Sequence, residues 1–214
     1  MDRDRDEKTT GGDGGKPDRS DISDEAKAQY EAAADETRTL SDEQVRARIV
    51  ELAFGGDRER YVQFIDALRR AIPPDVSVIL RGSAVVGRRW VNGEPFDADG
   101  PGSSDLDIAL VGGEMIRLWD PDRMYIPRLH TAPLDDDAPN AAPALVPLRR
   151  ALCSIAKRKV NIQATSNLVQ YARDVLFDQP YFTLLDKGDR DHERPVWERE
   201  VARKREALER EDER

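Results

Sequence analysis

Apolar residues recur along the chain with two different periods, and the switches between them predict the elements. Ser41-Asp42-Glu43-Gln44 forms a capping-box pattern ahead of Val45, Ile49, Leu52 and Ala53, which repeat at helical spacing until Gly55-Gly56 ends the run. A second helix is predicted from Asp57, with Tyr61, Phe64, Ile65 and Leu68 on one stripe, and Pro73-Pro74 stops it. The period then drops to two. DVSVIL, Asp75 to Leu80, is β-branched and bounded by turn residues, and Gly82-Ser83 breaks it. After a polar, glycine-rich stretch, DLDIALVGG from Asp105 alternates polar with apolar positions and predicts a second strand. Leu145, Leu148, Leu152 and Ile155 give another helix, VNIQA (Val160 to Ala164) a third strand, and NLVQYARDVLFD an amphipathic helix. PYFTLLD reads either as a last strand or as a helix start.

The flanks carry a weaker pattern. Residues 1 to about 22 have almost no aliphatic content and are expected to be disordered, while the alanine- and glutamate-rich stretch 23–39 predicts a helix with few residues to bury. The segment from Glu114 to Pro143 contains five prolines and reads as a long excursion. From Gly188 onward few apolar residues stand among many charges, which predicts a solvated helix or tail. The chain therefore divides into a disordered or partly helical N-terminal tail (1–40), one domain (41–187) and a charged C-terminal tail (188–214) that offers a surface for a protein partner. The expected fold class is α/β (α+β), a short mixed sheet with helices mainly on one side.

Composition narrows the setting. The 214 residues suit one domain with tails, and 38% hydrophobic against 36% charged content agrees with part of the chain being unpacked. No apolar run is long enough for a signal or a membrane span, so no membrane partner is expected. One cysteine, Cys153, precludes an internal disulfide, and the expected setting is the cytoplasm. A net charge of −9 argues against broad adhesion to nucleic acid but leaves room for a local basic cleft.

The chemistry concentrates in RGSAVVGRRWVNGEPFDADGPGSSDLDIALVGG, Arg81 to Gly113. Side chains two apart in a strand share a face, so Asp105 and Asp107 project together with α-carbons roughly 7 Å apart, opposite Leu106, Ile108 and Leu110. Paired carboxylates repel unless a cation lies between them, and a divalent ion with a preference for oxygen removes that penalty. Two other readings fail. In GGDGGKP, Thr10 stands where a phosphate loop needs glycine and Pro17 replaces Ser or Thr; in FDADGPGSSDLD, Pro101 and the lack of a closing glutamate exclude an EF-hand.

A strand ending in Gly82-Ser83, followed by a strand opening Asp105-Leu106-Asp107, resembles the DNA polymerase beta-like nucleotidyltransferase superfamily. The resemblance spans roughly residues 57–164. It implies that Gly82 and Ser83 grip the phosphates of a nucleoside triphosphate, that Asp105 and Asp107 bind Mg2+ (or Mn2+), and that Ser104 contributes beside them. The implied activity is transfer of a nucleoside monophosphate to an acceptor hydroxyl on nucleic acid, protein or a small molecule. Two departures stand out. The connection from Ser83 to Asp105 is longer than the family needs, and Trp90 to Gly102 is expected to be absorbed as a surface loop. The family's third carboxylate falls at Asn161, which cannot accept a proton as a carboxylate does. Asp97 or Asp99 is a candidate replacement, and a degenerate, nucleotide-binding module is the alternative function.

Among the basic residues, Arg81, Arg88 and Arg89 flank the glycine-serine turn, and Arg149, Arg150, Lys157, Arg158 and Lys159 precede or surround the third strand. Arg88 and Lys159 are the first candidates for holding a triphosphate. His130 is expected to pack rather than react, His192 to be solvated, and Trp90 and Trp119 to pack or to stack a base.

Overall fold

The computed structural model describes residues 22–187 and Arg210; the predicted tails at 1 to about 22 and from 188 onward, with His192 and the partner surface, lie outside the described residues. Helices α1 (Asp24–Thr39), α2 (Asp42–Phe54) and α3 (Arg58–Ala71) come first. Each starts on a side-chain cap: Ser23 accepts from the Ala26 N–H, Ser41 and Gln44 close the capping box, and Asp57 accepts from the Arg60 N–H. Strand β1 (Ser77–Arg81) leads into the single-turn helix α4 (Ser83–Val86), then β2 (Leu106–Val111) and the short helix α5 (Gly113–Ile116) follow. The proline-rich excursion folds into a small hairpin, β3 (Met124–Ile126) and β4 (His130–Thr131), before α6 (Val146–Ala156) and β5 (Val160–Thr165). Helix α7 (Leu168–Tyr171) passes into a π-helical turn at Ala172–Leu176, and β6 (Tyr181–Leu185) resolves PYFTLLD as a strand.

The six strands form one mixed sheet in the order β3-β4-β5-β2-β1-β6. β2 and β5 run parallel, while β1 is antiparallel to both β2 and β6. Strand alternation splits the sheet into two unlike faces. Val78, Leu80, Leu106, Ile108, Leu110, Val160, Ile162 and Ala164 join the main core with Ile49, Phe64, Leu68 and Leu152 from α2, α3 and α6. At ~25 cal/mol per Å2 of apolar surface removed from water, this face supplies most of the stabilisation. The other face carries Arg81, Asp107, Asn161 and Gln163 beside Ile79 and Ala109, and a smaller cluster with Tyr171 and Leu176 packs on its apolar part. Helices therefore pack on both faces, with the larger layer on one.

Two segments pack more closely than their composition indicates. In α1, Ala26, Tyr30 and Ala34 are buried, and Tyr30 meets Trp90 edge-on with ring centroids 4.9 Å apart. The division at residue 41 thus separates from the body a helix that packs against it. Gly93 permits this approach: a Cβ there would lie 3.0 Å from the Ala26 α-carbon, and its φ of +70° is one that glycine adopts readily.

The connection from Trp90 to Gly102, expected as a surface loop, is anchored instead. Phe96 is buried in the main core under the Arg158 guanidinium, 4.7 Å from its ring centroid, and Asp97 forms a two-pronged ion pair with Arg158 at 2.9 and 3.0 Å. An acid beside a core aromatic finds its partner only once α6 and β5 are in place. Among the described residues, no helix is long and apolar enough to cross a membrane.

Candidate functional site

Sheet register builds the site. Arg81 pairs with Asp107 across β1 and β2, and Asp107 pairs with Asn161 across β2 and β5, so the three side chains form one row over three strands. Cross-strand neighbours on one face lie within side-chain reach of each other. Asn161 Nδ2 donates to Asp105 Oδ2 at 3.2 Å and to Asp107 Oδ1 at 3.1 Å, and Arg81 Nη2 approaches Asp107 Oδ1 to 3.9 Å. Asp105 stands just before β2 and Asp107 within it, so both carboxylates reach the same end of that face.

Gly82 ends β1 at φ 78°, ψ −152°, a conformation essentially restricted to glycine, and is the N-cap of α4. A Cβ at this position would meet Asp107 Oδ2 at 3.4 Å. The glycine-serine turn and the metal-binding candidates are therefore adjacent. Together Gly82, Ser83, Ser104, Asp105, Asp107 and Asn161 line an open groove of about 430 Å3, whose other described walls include Arg81, Arg89 and Ser103, Tyr30, Trp90 and Val91, and Val175 and Gln179.

The turn that positions Asp105 is held by Asp97. Its Oδ1 accepts from the Ser104 N–H at 2.8 Å, its Oδ2 from the Gly102 N–H at 2.9 Å, and its own N–H donates to Ser104 Oγ. Burial alone would raise the Asp97 pKa; the hydrogen bonds from Arg158, Gly102 and Ser104 outweigh it and hold the carboxyl below its ordinary value. Asp97 is thus committed to the turn, and Asp99 is paired with Arg89. Neither is part of the described lining of the groove. Among the described residues, no three His, Cys, Asp or Glu side chains group to hold a metal, and the third polar side chain beside the pair is the Asn161 amide.

Two predicted phosphate ligands are not in the groove. Arg88 turns toward α1, donating to the Gly93 carbonyl at 2.6 Å and to Gln29 Oε1 at 3.3 Å, because the loop folds back under that helix. Lys159 lies out on the surface, paired with Asp136 at 3.2 Å; Asp136 raises its pKa most, and Asp105 adds to the effect. Their places are taken by Arg89, which donates to Ser103 and Ser104 hydroxyls, and by Arg81. The adjacent arginines Arg88 and Arg89 cannot be told apart in the sequence, since only the turn between β1 and β2 sorts them.

Behind Asp107 lies a buried polar cluster. Arg81 Nη2 donates to Gln163 Oε1 at 2.8 Å; burial would lower its pKa, and Asp107 together with Tyr171, Tyr30 and Tyr125 more than offsets this. His130 is 1% exposed, packs on the Tyr171 ring at 4.8 Å, and its Nδ1–H donates to the Ala164 carbonyl, which leaves Nε2 as an acceptor. Burial, reinforced by Arg81, pushes the His130 pKa down to about 4, and burial lifts the Tyr171 hydroxyl to about 12. His130 packs as expected, Trp119 is buried with its indole N–H on the Ala132 carbonyl, and Trp90 faces the groove.

The donor set suits a hard divalent cation: two carboxylates at the mouth of an open groove, beside a serine hydroxyl, with sulfur and imidazole absent from the lining among the described residues. No family model, curated protein or solved structure matches this chain, so its reading rests on the geometry of the groove.

Proposed function

We propose that the chain is a metal-dependent nucleotidyltransferase: the groove takes a nucleoside triphosphate and passes its nucleoside monophosphate to an acceptor hydroxyl. The observation that carries this reading is the meeting of Gly82-Ser83 with Asp105 and Asp107 on one face of the sheet. Mg2+ or Mn2+ held by Asp105 and Asp107 would supply neutralising charge for the polyphosphate. Gly82 lets the backbone approach the phosphates without a side chain in the way, and Ser83 adds a hydroxyl donor. Arg81 and Arg89 line the groove with fixed positive charge. Trp90 and Val91 give one wall an apolar surface suited to a base. In the transfer, the acceptor oxygen bonds to the α-phosphorus, the bond from that phosphorus to the β-bridging oxygen breaks, and pyrophosphate leaves with the bonding pair. The acceptor proton passes to solvent or to a carboxylate of the pair.

A second reading is favoured by one contact: the Asn161 amide bridges both carboxylates, which suits binding of a nucleotide without turnover. Pyrophosphate release measured with each of the four NTPs, Mg2+ and pools of candidate acceptors decides between them. The transfer reading expects release that falls at least a hundredfold in Asp107→Ala. Nucleotide binding with no release from any acceptor pool supports the second reading instead.

A further inference from the structure

We propose that the cavity adjoining the groove is the acceptor site, and that it takes a small hydroxyl-bearing molecule with a positive charge. The inference rests on the nucleotidyl-transfer reading and names the chemical class of its second substrate.

Three side chains stand between the two spaces. Tyr30, Trp90 and Gln179 line the groove on one side and a cavity of about 390 Å3 on the other. They hold one another: Tyr30 meets Trp90 edge-on, and the Tyr30 hydroxyl donates to Gln179 Oε1 at 3.3 Å. A nucleotide in the groove and a ligand in the cavity would touch the same three side chains, the closeness that direct transfer between two substrates needs. The volume falls in the range of small-molecule sites, below what a docked macromolecule would occupy.

The rest of the wall sets the chemistry. Phe177 is 54% exposed, at a left-handed φ of 51° that a bulky side chain adopts only at a cost. With Tyr30 and Trp90 it gives the cavity three aromatic rings, whose faces attract organic cations. The charged residues of the described lining are Glu31, Asp35 and Arg38. Arg38 is engaged by Asp35 and by the Asp178 carbonyl, whereas Glu31 has no hydrogen-bond or ion-pair partner among the described residues. Past Arg38 and Gln179 a further cavity of about 310 Å3 opens, and its other described charges are Asp42 and Asp178. Across the two cavities four carboxylates stand against one guanidinium. The phosphates of a nucleic acid would be repelled there and a protonated amine drawn in. The groove, by contrast, sets Arg81 and Arg89 beside its two carboxylates, which suits the triphosphate. In the transfer a hydroxyl oxygen of the bound cation bonds to the α-phosphorus and pyrophosphate leaves with the bonding pair. The hydroxyl proton passes to solvent or to a carboxylate of the groove.

Saturation-transfer NMR on the full chain, with Mg2+ and an α,β-methylene NTP analogue bound, tests the site. Glucosamine serves as the cationic probe, glucose as its neutral counterpart, a short single-stranded RNA as the polyanion and a serine-bearing lysine peptide as the macromolecular cation. Glucosamine is expected to bind at least about fivefold more tightly than glucose, with no binding of RNA. Glu31→Gln and Phe177→Ala, both changes of exposed side chains outside the groove, should each weaken glucosamine about fivefold and leave the affinity for the NTP analogue unchanged. Glucosamine that does not bind, or glucose, RNA or peptide that binds as tightly as glucosamine, overturns the proposal. So does glucosamine binding that both variants leave untouched, or an NTP analogue weakened by Phe177→Ala, which would put the base in this cavity. The two readings fail separately. Glucosamine bound with the expected variant pattern, but no pyrophosphate from any acceptor, sinks transfer alone; pyrophosphate released with RNA or a neutral acceptor, equally in wild type and variants, sinks the acceptor assignment alone.

Discussion

At the scale of single residues, Gly82 and His130 show how local constraint supports the site. Gly82 has space for a methyl group, since the nearest atom to an added Cβ is at ordinary contact distance, but its φ and ψ belong to glycine alone. Gly82→Ala is expected to cost ~1–3 kcal/mol through backbone strain alone, read as a lowered denaturant midpoint. His130 makes a prediction about acid. An unfolded histidine binds its proton near pH 6.5, whereas the buried ring holds out until about 4. Between these values the unfolded chain carries more protons, so stability falls as the pH falls, by up to ~3 kcal/mol. Urea unfolding of His130→Gln at pH 7, 6, 5 and 4 should show a shallower loss than the wild type. An equal slope would mean that other groups govern the acid limb.

At the scale of elements, the loop between α4 and β2 and the helix α1 matter most. Asp97 and Arg158 are 17% and 7% exposed in their side chains, and the same Asp97 holds the Ser104 N–H next to Asp105. Removing one partner leaves the other charged and poorly solvated. Asp97→Ala should therefore cost ~3 kcal/mol and also weaken divalent-ion binding. Adding Arg158→Ala to it should cost much less than the sum of the two, which a double-mutant cycle measures. These elements were also the least legible in the sequence. Strand alternation alone placed Asp105 and Asp107 on one face opposite Leu106, Ile108 and Leu110, because that relation is local. The burial of Tyr30 and the anchoring of Phe96 and Asp97 depend on Trp90 and Arg158, far along the chain, and nothing near them in sequence signals those partners.

At the scale of the whole molecule, the sheet brings the site together. The row Arg81, Asp107, Asn161 exists only through the pairing of β1 with β2 and of β2 with β5, a register that no single segment specifies. The glycine-serine turn, the carboxylate pair and the amide opposite them were each readable as residues; the sorting of Arg89 into the groove and of Arg88 and Lys159 out of it was not. A chain of net charge −9 places two arginines at this groove, which suits a polyanion bound with a cation. The most direct measurement is calorimetric titration of NTP with Mg2+ into the wild type, Asp105→Ala and Asp107→Ala. Saturable, metal-dependent binding to the wild type and at least a tenfold loss in each variant are expected; wild-type chain that does not bind NTP, or variants that bind it equally well, would overturn the assignment of the groove.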